Sequence, residues 1–162
     1  MIKCDAFVFL DGVSYQKNGV QNRNALKTQN GETWLTVPVS APLGTPIIDV
    51  LVANQLWQRK HWRTIEQNYK KAPYFRLFSE ELKSLYDNEW IYLSELNIRL
   101  SIMLMRWLGI DRPIFTQSKL GVMGTSTDLL VDICSKVGAS CYLSGPGGAY
   151  MDIAKFQMAG VA

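Results

Sequence analysis

Histidine is nearly absent from this chain: His61 stands alone, and no second imidazole exists to complete a two-histidine metal site. Cysteine is scarce as well. Cys4, Cys134 and Cys141 form an odd set with no CxxC spacing, which argues against zinc and for free, buried thiols in a reducing compartment. No apolar run approaches the roughly 18 residues that a membrane span needs. The N-terminus also lacks the charged-then-apolar order of a secretory leader, so cytoplasmic residence is the expectation. Excess charge is missing too. A net charge of +3 over 162 residues is too small to imply nucleic-acid binding, and only a local cluster of cations can matter.

What is present is an ordinary globular composition. Hydrophobic residues make up 48% and aromatic residues 11%, enough to build a core and to exclude disorder. The length suits one domain, in which about 70% of the surface of an unfolded chain is buried.

Along the chain, "CDAFVFLDGV" reads as a buried strand that closes in an Asp-Gly turn, with Asp11 at its C-terminal end. "SYQKNGVQNRNALKTQNG" is polar, has no helical period, and reads as loop or short hairpin. "ETWLTVPVS" and "IIDVLV" read as two more strands, separated by the turn "APLGTP". From Asn54 to about Lys71 the period turns helical, with Trp62, Ile65 and Tyr69 on one stripe. Pro73 ends that segment. Ser79 is the expected N-cap of the next helix, and a long apolar helix then runs to Gly109.

The last third reads strand, helix, strand, helix: "PIFTQ", "TSTDLLVDICSKVG", "ASCYLSG" and "AYMDIAKFQMAG". Short links between such elements are the mark of a parallel βαβ layer. The expected fold class is α/β, with a Rossmann-like parallel layer and a helical insertion in the middle.

In such layers ligands gather at the C-terminal ends of the strands, beside helix N-termini. Two places answer to that description. In Ser144, Gly145, Pro146, Gly147 and Gly148 the glycines allow close approach to an anion, or serve only the dihedrals of a plain turn. Asp11 holds a metal, a ribose or a substrate amine there, or else makes an Asx turn. In "QNRNALKT", the Arg23 fork between Asn22 and Asn24 suits a carboxylate or phosphate, with a solvated loop as its rival.

His61 occupies a cationic stretch, since five of the seventeen basic residues fall between Arg59 and Lys71. It is expected at the boundary of the buried stripe. Lys60 and Arg63 would push its pKa down, leaving a neutral imidazole able to serve as a base. A packed histidine on a charged helix is the alternative. The spacing supports neither a metal site nor a nucleophile triad, and it identifies no cofactor.

Five stretches resemble the WbqC-like protein family in order over nearly the whole chain. They are "DAFVFLDGVSYQKNGVQNRNALKTQNGETWLTVPV", "KHWRTIEQNYKKAPYF", "LSELNIRL", "LGI" and "TDLLVDICSKVGASCYLSGPGGAYMD". The resemblance implies a setting in O-antigen and other surface-polysaccharide biosynthesis, where members are described as transferases or left uncharacterised. It also implies that segments precede Met1 and follow Ala162, so that this chain is the middle of one family domain. Members often carry Asp-Asp where this chain has Asp11 and Gly12. The preceding segment in the family is loosely similar to the start of HIGH-type nucleotidyltransferases, a HUP-like fold. Within that setting, the leading expectation is transfer of an acyl or aminoacyl group to a nucleotide- or carrier-linked sugar. His61 would be the base, Asp11 would orient it or the acceptor, and Arg23, Lys60, Arg63 and the Ser144–Gly148 turn would seat an anionic substrate. Nucleotidyl transfer, and a non-catalytic role beside other polysaccharide enzymes, are the alternatives.

Overall fold

A computed structural model describes residues 3–145 and 147–162. Its contacts divide into two compact units: one is Met1–Gly12 with Leu108–Ala162, and the other is Val13–Trp107. The class is mixed α/β, with six α-helices and small sheets among the described residues. No helix among them is long and apolar enough to cross a membrane.

The first unit is built on a parallel pair. Strand β1 (Phe7–Phe9) lies beside β6 (Ile114–Thr116), Phe7 opposite Ile114 and Phe9 opposite Thr116. β6 runs directly into the short helix α4 (Gln117–Leu120). Helix α5 (Ser126–Val137) comes next, burying Leu129, Leu130, Ile133 and Cys134 at the spacing of one helical face. It ends at Gly138, whose φ of 67° turns the chain so that the Ala139 N–H reaches the Cys134 carbonyl at 2.8 Å. Phe156 of helix α6 (Ile153–Met158) closes the core with Leu130, Cys134 and Val161.

The parallel layer is this one pair, and a multi-stranded Rossmann-like or HUP-like sheet does not form among the described residues. The expected strand "ASCYLSG" is irregular. Its backbone pairs with the residue at position 162 instead: Tyr142 N–H donates to the Ala162 carbonyl, and Ala162 N–H to Ser140. The segment after it holds a three-residue 3-10 turn, Gly148–Tyr150, and then α6, where one continuous helix was expected.

The second unit is more than a helical insertion. Strands β2 (Arg23–Thr28) and β3 (Gly31–Thr36) form an antiparallel hairpin, so the polar stretch around Arg23 is a strand. Strands β4 (Val39–Ser40) and β5 (Leu51–Val52) make a second short pair. The expected strand "IIDVLV" divides into a 3-10 turn at Ile47–Asp49 and the two residues of β5.

Helices α1 (Leu56–Tyr69), α2 (Phe75–Asp87) and α3 (Leu93–Trp107) complete the unit. Ser79 lies inside α2, which begins a turn earlier at Phe75, so it is no cap. The core is formed by Val37, Val50, Trp57, Leu85, Leu93, Leu96 and Met103. Leu93 is fully buried, a contribution of roughly 1.5–3 kcal/mol relative to an exposed side chain.

Candidate functional site

An open pocket of about 310 Å³ lies in the second unit, lined by Tyr15, Lys17, Asn18, Asn22, Arg23, Thr36, Val39 and Ala41. Two of the expected binding residues, Asn22 and Arg23, meet there. Asn22 donates from Nδ2 to the Val37 carbonyl at 2.8 Å, which ties the start of β2 to the end of β3. Arg23 is held harder. Its Nε donates to the Gly19 carbonyl at 3.1 Å and its Nη2 to the Asn18 carbonyl at 2.6 Å, while its guanidinium carbon lies 5.0 Å from the centre of the Trp34 ring. Asn18 takes a left-handed φ of 68°, a conformation asparagine tolerates, and so delivers its carbonyl to Arg23. None of the lining residues is acidic, and Lys17 is a second cation. The arrangement suits an anion, because a guanidinium with spare N–H groups binds carboxylate or phosphate as a fork.

His61 is buried, with 5% of its surface exposed, and it lies in the middle of the inner face of α1 between Trp57 and Ile65. That corrects the expected boundary position. Trp62 and Tyr69 occupy the flank instead: Trp62 stacks on Phe75 at 6.2 Å, and the Tyr69 hydroxyl donates to the Lys27 carbonyl at 2.9 Å. The imidazole meets the edges of Trp57 and Tyr86 at centroid distances of 5.0 and 6.0 Å. Its Nε2 lies 3.2 Å from the Thr36 carbonyl oxygen and must therefore carry the proton, which leaves Nδ1 as the basic nitrogen. Burial holds its pKa below the ordinary value. The Thr36 carbonyl opposes that shift, and Lys60 adds a smaller downward push. The direction matches the expectation; the main cause is desolvation rather than neighbouring charge. Lys60 and Arg63 are exposed on α1 and do not line the pocket, nor does Asn24 on β2.

Asp11 belongs to the other unit. It is 5% exposed, and both carboxylate oxygens are engaged by Ser118 at the start of α4: Oδ1 accepts from the backbone N–H at 2.9 Å and Oδ2 from the hydroxyl at 2.5 Å. Gly12 N–H donates to Gln117 Oε1 at 3.3 Å. The C-terminal ends of the two parallel strands are thus joined by Asp11 and Gly12 on one side and Gln117 and Ser118 on the other. Asp11 forms this cross-link rather than the Asx turn that an Asp-Gly pair suggests.

The Ser144–Gly148 turn also belongs to that unit, and its Pro146 lies outside the described residues. Ser144, Gly145 and Gly147 are exposed, and the Ser144 hydroxyl donates to the Gly145 carbonyl at 2.9 Å. The turn leads into a single 3-10 turn, so the row of free N–H groups expected of a long helix is missing. Gly148 has a packing reason: a Cβ there would run into Ser144 Oγ and Met151 Cε. His61 and Asp11 fall in different units, as do Arg23 and this turn.

Tyr15, Lys17, Asn18, Thr36 and Ser118 are neighbours that the sequence did not single out. Asn18 carried a signal, since an Asn-Gly pair marks a left-handed turn, but nothing in the one-dimensional pattern ties that turn to Arg23.

Comparison with known proteins shows kinship. The uncharacterised protein Rv1507c of Mycobacterium tuberculosis is 32% identical over 152 residues, covering 91% of this chain. The chain spans 66% of that relative's length. No solved structure matches significantly. The WbqC-like protein family matches residues 1–162, across both units and every side chain described above. The chain belongs to the WbqC-like protein family.

Proposed function

We propose that the Arg23 pocket receives the anionic end of a nucleotide- or carrier-linked sugar, or of its acyl donor. The reaction is transfer of an acyl or aminoacyl group in surface-polysaccharide biosynthesis. One observation carries the reading: Arg23 and Lys17 share a pocket with Tyr15, Asn18 and Asn22 and with no carboxylate to neutralise them. Family membership supports the polysaccharide setting, and a match across residues 1–162 supports treating both units as parts of one functional domain.

In this scheme the acceptor amine or hydroxyl forms a bond to the acyl carbon as the bond to the donor's carrier breaks. The proton lost by the acceptor goes to Nδ1 of His61, the ring nitrogen not committed to Thr36. Thr36 connects the two parts, since it lines the pocket and accepts from His61.

Thermal-shift screening of the wild type and Arg23→Gln against nucleotide sugars, coenzyme A and nucleoside triphosphates tests the pocket. One class should stabilise the wild type and lose its effect in the variant. Stabilisation by no class, or an equal effect on both proteins, overturns the reading. His61→Ala should cost about 10²–10⁴ in turnover.

The burial of His61 between Trp57 and Tyr86 favours a second reading, in which the chain binds such a sugar as a non-catalytic partner of other polysaccharide enzymes. Under it, His61→Ala melts earlier but binds the same ligand with unchanged affinity.

A further inference from the structure

The hairpin register brings a second feature to the pocket. Residues two apart on a strand share a face, so Thr36 and Trp34 of β3 lie on one side with their cross-strand partners Arg23 and Ala25. Thr36 and Arg23 line the pocket, and the Arg23 guanidinium carbon lies 5.0 Å from the centre of the Trp34 ring. Ala25, directly opposite Trp34, is too small to cover an indole, and Trp34 remains 51% exposed. Trp34 packs against the Arg23 guanidinium and leaves about half of its surface open.

Arg23 completes the arrangement. Its Nε and one Nη2 hydrogen are used by the Gly19 and Asn18 carbonyls, and the indole supports its plane. The Nη1 hydrogens have no partner among the described residues, so the end of the fork is left to an anion. A guanidinium fixed at two donors and one face loses little freedom on binding, which favours a single well-placed anionic group.

We infer that Arg23 and Trp34 form a two-part subsite for a ring-bearing phosphate, the guanidinium taking the phosphate and the open indole surface taking the ring. The ligand class is a nucleoside diphosphate, with its base stacked on Trp34. This rests on the anion pocket proposed above and specifies what that pocket selects.

Calorimetric titration of the full chain with inorganic pyrophosphate and uridine diphosphate separates the two parts. Base–tryptophan stacking should make uridine diphosphate bind tighter than pyrophosphate by about 5- to 150-fold. In Trp34→Leu that advantage should vanish while pyrophosphate binding persists; in Arg23→Gln both ligands should be lost. Glucose 1-phosphate against orthophosphate forms the second arm. An advantage there, with none for uridine diphosphate, identifies the stacked ring as a sugar and overturns the nucleoside assignment. Equal affinity within each pair in the wild type removes the stacking platform and leaves the anion pocket standing. If pyrophosphate and orthophosphate both fail to bind, the pocket reading falls with it. Should Trp34→Leu weaken pyrophosphate and uridine diphosphate equally, Trp34 only steadies Arg23 and the inference is wrong.

Discussion

Nε2 of His61 lies 3.2 Å from the carbonyl oxygen of Thr36, and Thr36 lines the Arg23 pocket. A helix and a hairpin strand are thereby joined through one hydrogen bond, made by the only imidazole in the chain. The bond fixes the tautomer, and it means that a change in the charge state of His61 is felt at the pocket wall.

Acid should destabilise the fold here, because it charges a buried imidazole. Because burial lowers the folded-state pKa below 6.5, the unfolded chain takes up its proton first as pH falls. The stabilisation from a neutral His61 is complete above pH 6.5 and is lost from there down towards the folded-state pKa. Urea unfolding between pH 8 and pH 5 should therefore show a falling midpoint in the wild type and a flatter profile in His61→Gln. Parallel profiles would mean that His61 is not held neutral by the fold.

The contact of Asp11 with Ser118 should be worth more than either side chain suggests. Asp11→Ala leaves a backbone N–H and a hydroxyl without their acceptor, and it should cost about 1.5–3 kcal/mol in denaturant unfolding. Ser118→Ala removes only the hydroxyl and should cost about 1 kcal/mol. The double variant should fall short of the sum, because the two residues share one bond pair. Full additivity would show that the cross-link between the strand ends contributes nothing.

Trp57 is buried with its indole N–H unpartnered, the one such side-chain atom among the described residues. A phenylalanine keeps the edge contacts with His61 and Tyr86 and removes the unsatisfied donor. Trp57→Phe removes three ring atoms along with the donor, so it should cost clearly less than truncation to alanine. Trp57→Ala, which opens a cavity, should cost about 3–5 kcal/mol. A loss on Trp57→Phe as large as that on Trp57→Ala would reveal a hidden partner for the N–H.

The three thiols should react in order of exposure. Cys141 is exposed, Cys4 half-buried and Cys134 buried, so only one of them fits the buried-thiol expectation fully. Burial raises the Cys134 thiol pKa, with nearby Cys141 adding to the effect, and so suppresses the reactive thiolate. Iodoacetamide labelling followed by mass spectrometry should find Cys141 first and Cys134 only after denaturant is added. Early labelling of Cys134 would indicate that the α5–α6 core opens readily.

Helices were the legible part of this fold. The apolar spacing of α3 and α5 and the Gly138 cap located both, since a helix meets its backbone hydrogen bonds locally and advertises its buried face by period. In α1 the extent was readable and the buried side was not. Trp62 and Tyr69 are large aromatic side chains, yet their partners Phe75 and Lys27 draw them to the flank and leave the interior to Trp57, His61 and Ile65. Strand-like runs were least reliable. "ASCYLSG" has the composition of a strand but finds Ala162 as its backbone partner, and it joins no sheet among the described residues.

Residue order alone therefore settled family membership, the position of the major helices and the stock of candidate groups, because these depend on local pattern or on matching motifs. The tertiary structure decided which of those groups meet. Arg23 acquires its grip from carbonyls four and five residues back and from a tryptophan on the opposite strand, and His61 its tautomer from a carbonyl 25 residues away. Such pairings are set by turn geometry, strand register and packing between elements, to which backbone carbonyls contribute without regard to the side chain they carry, so the letters of the sequence do not mark them.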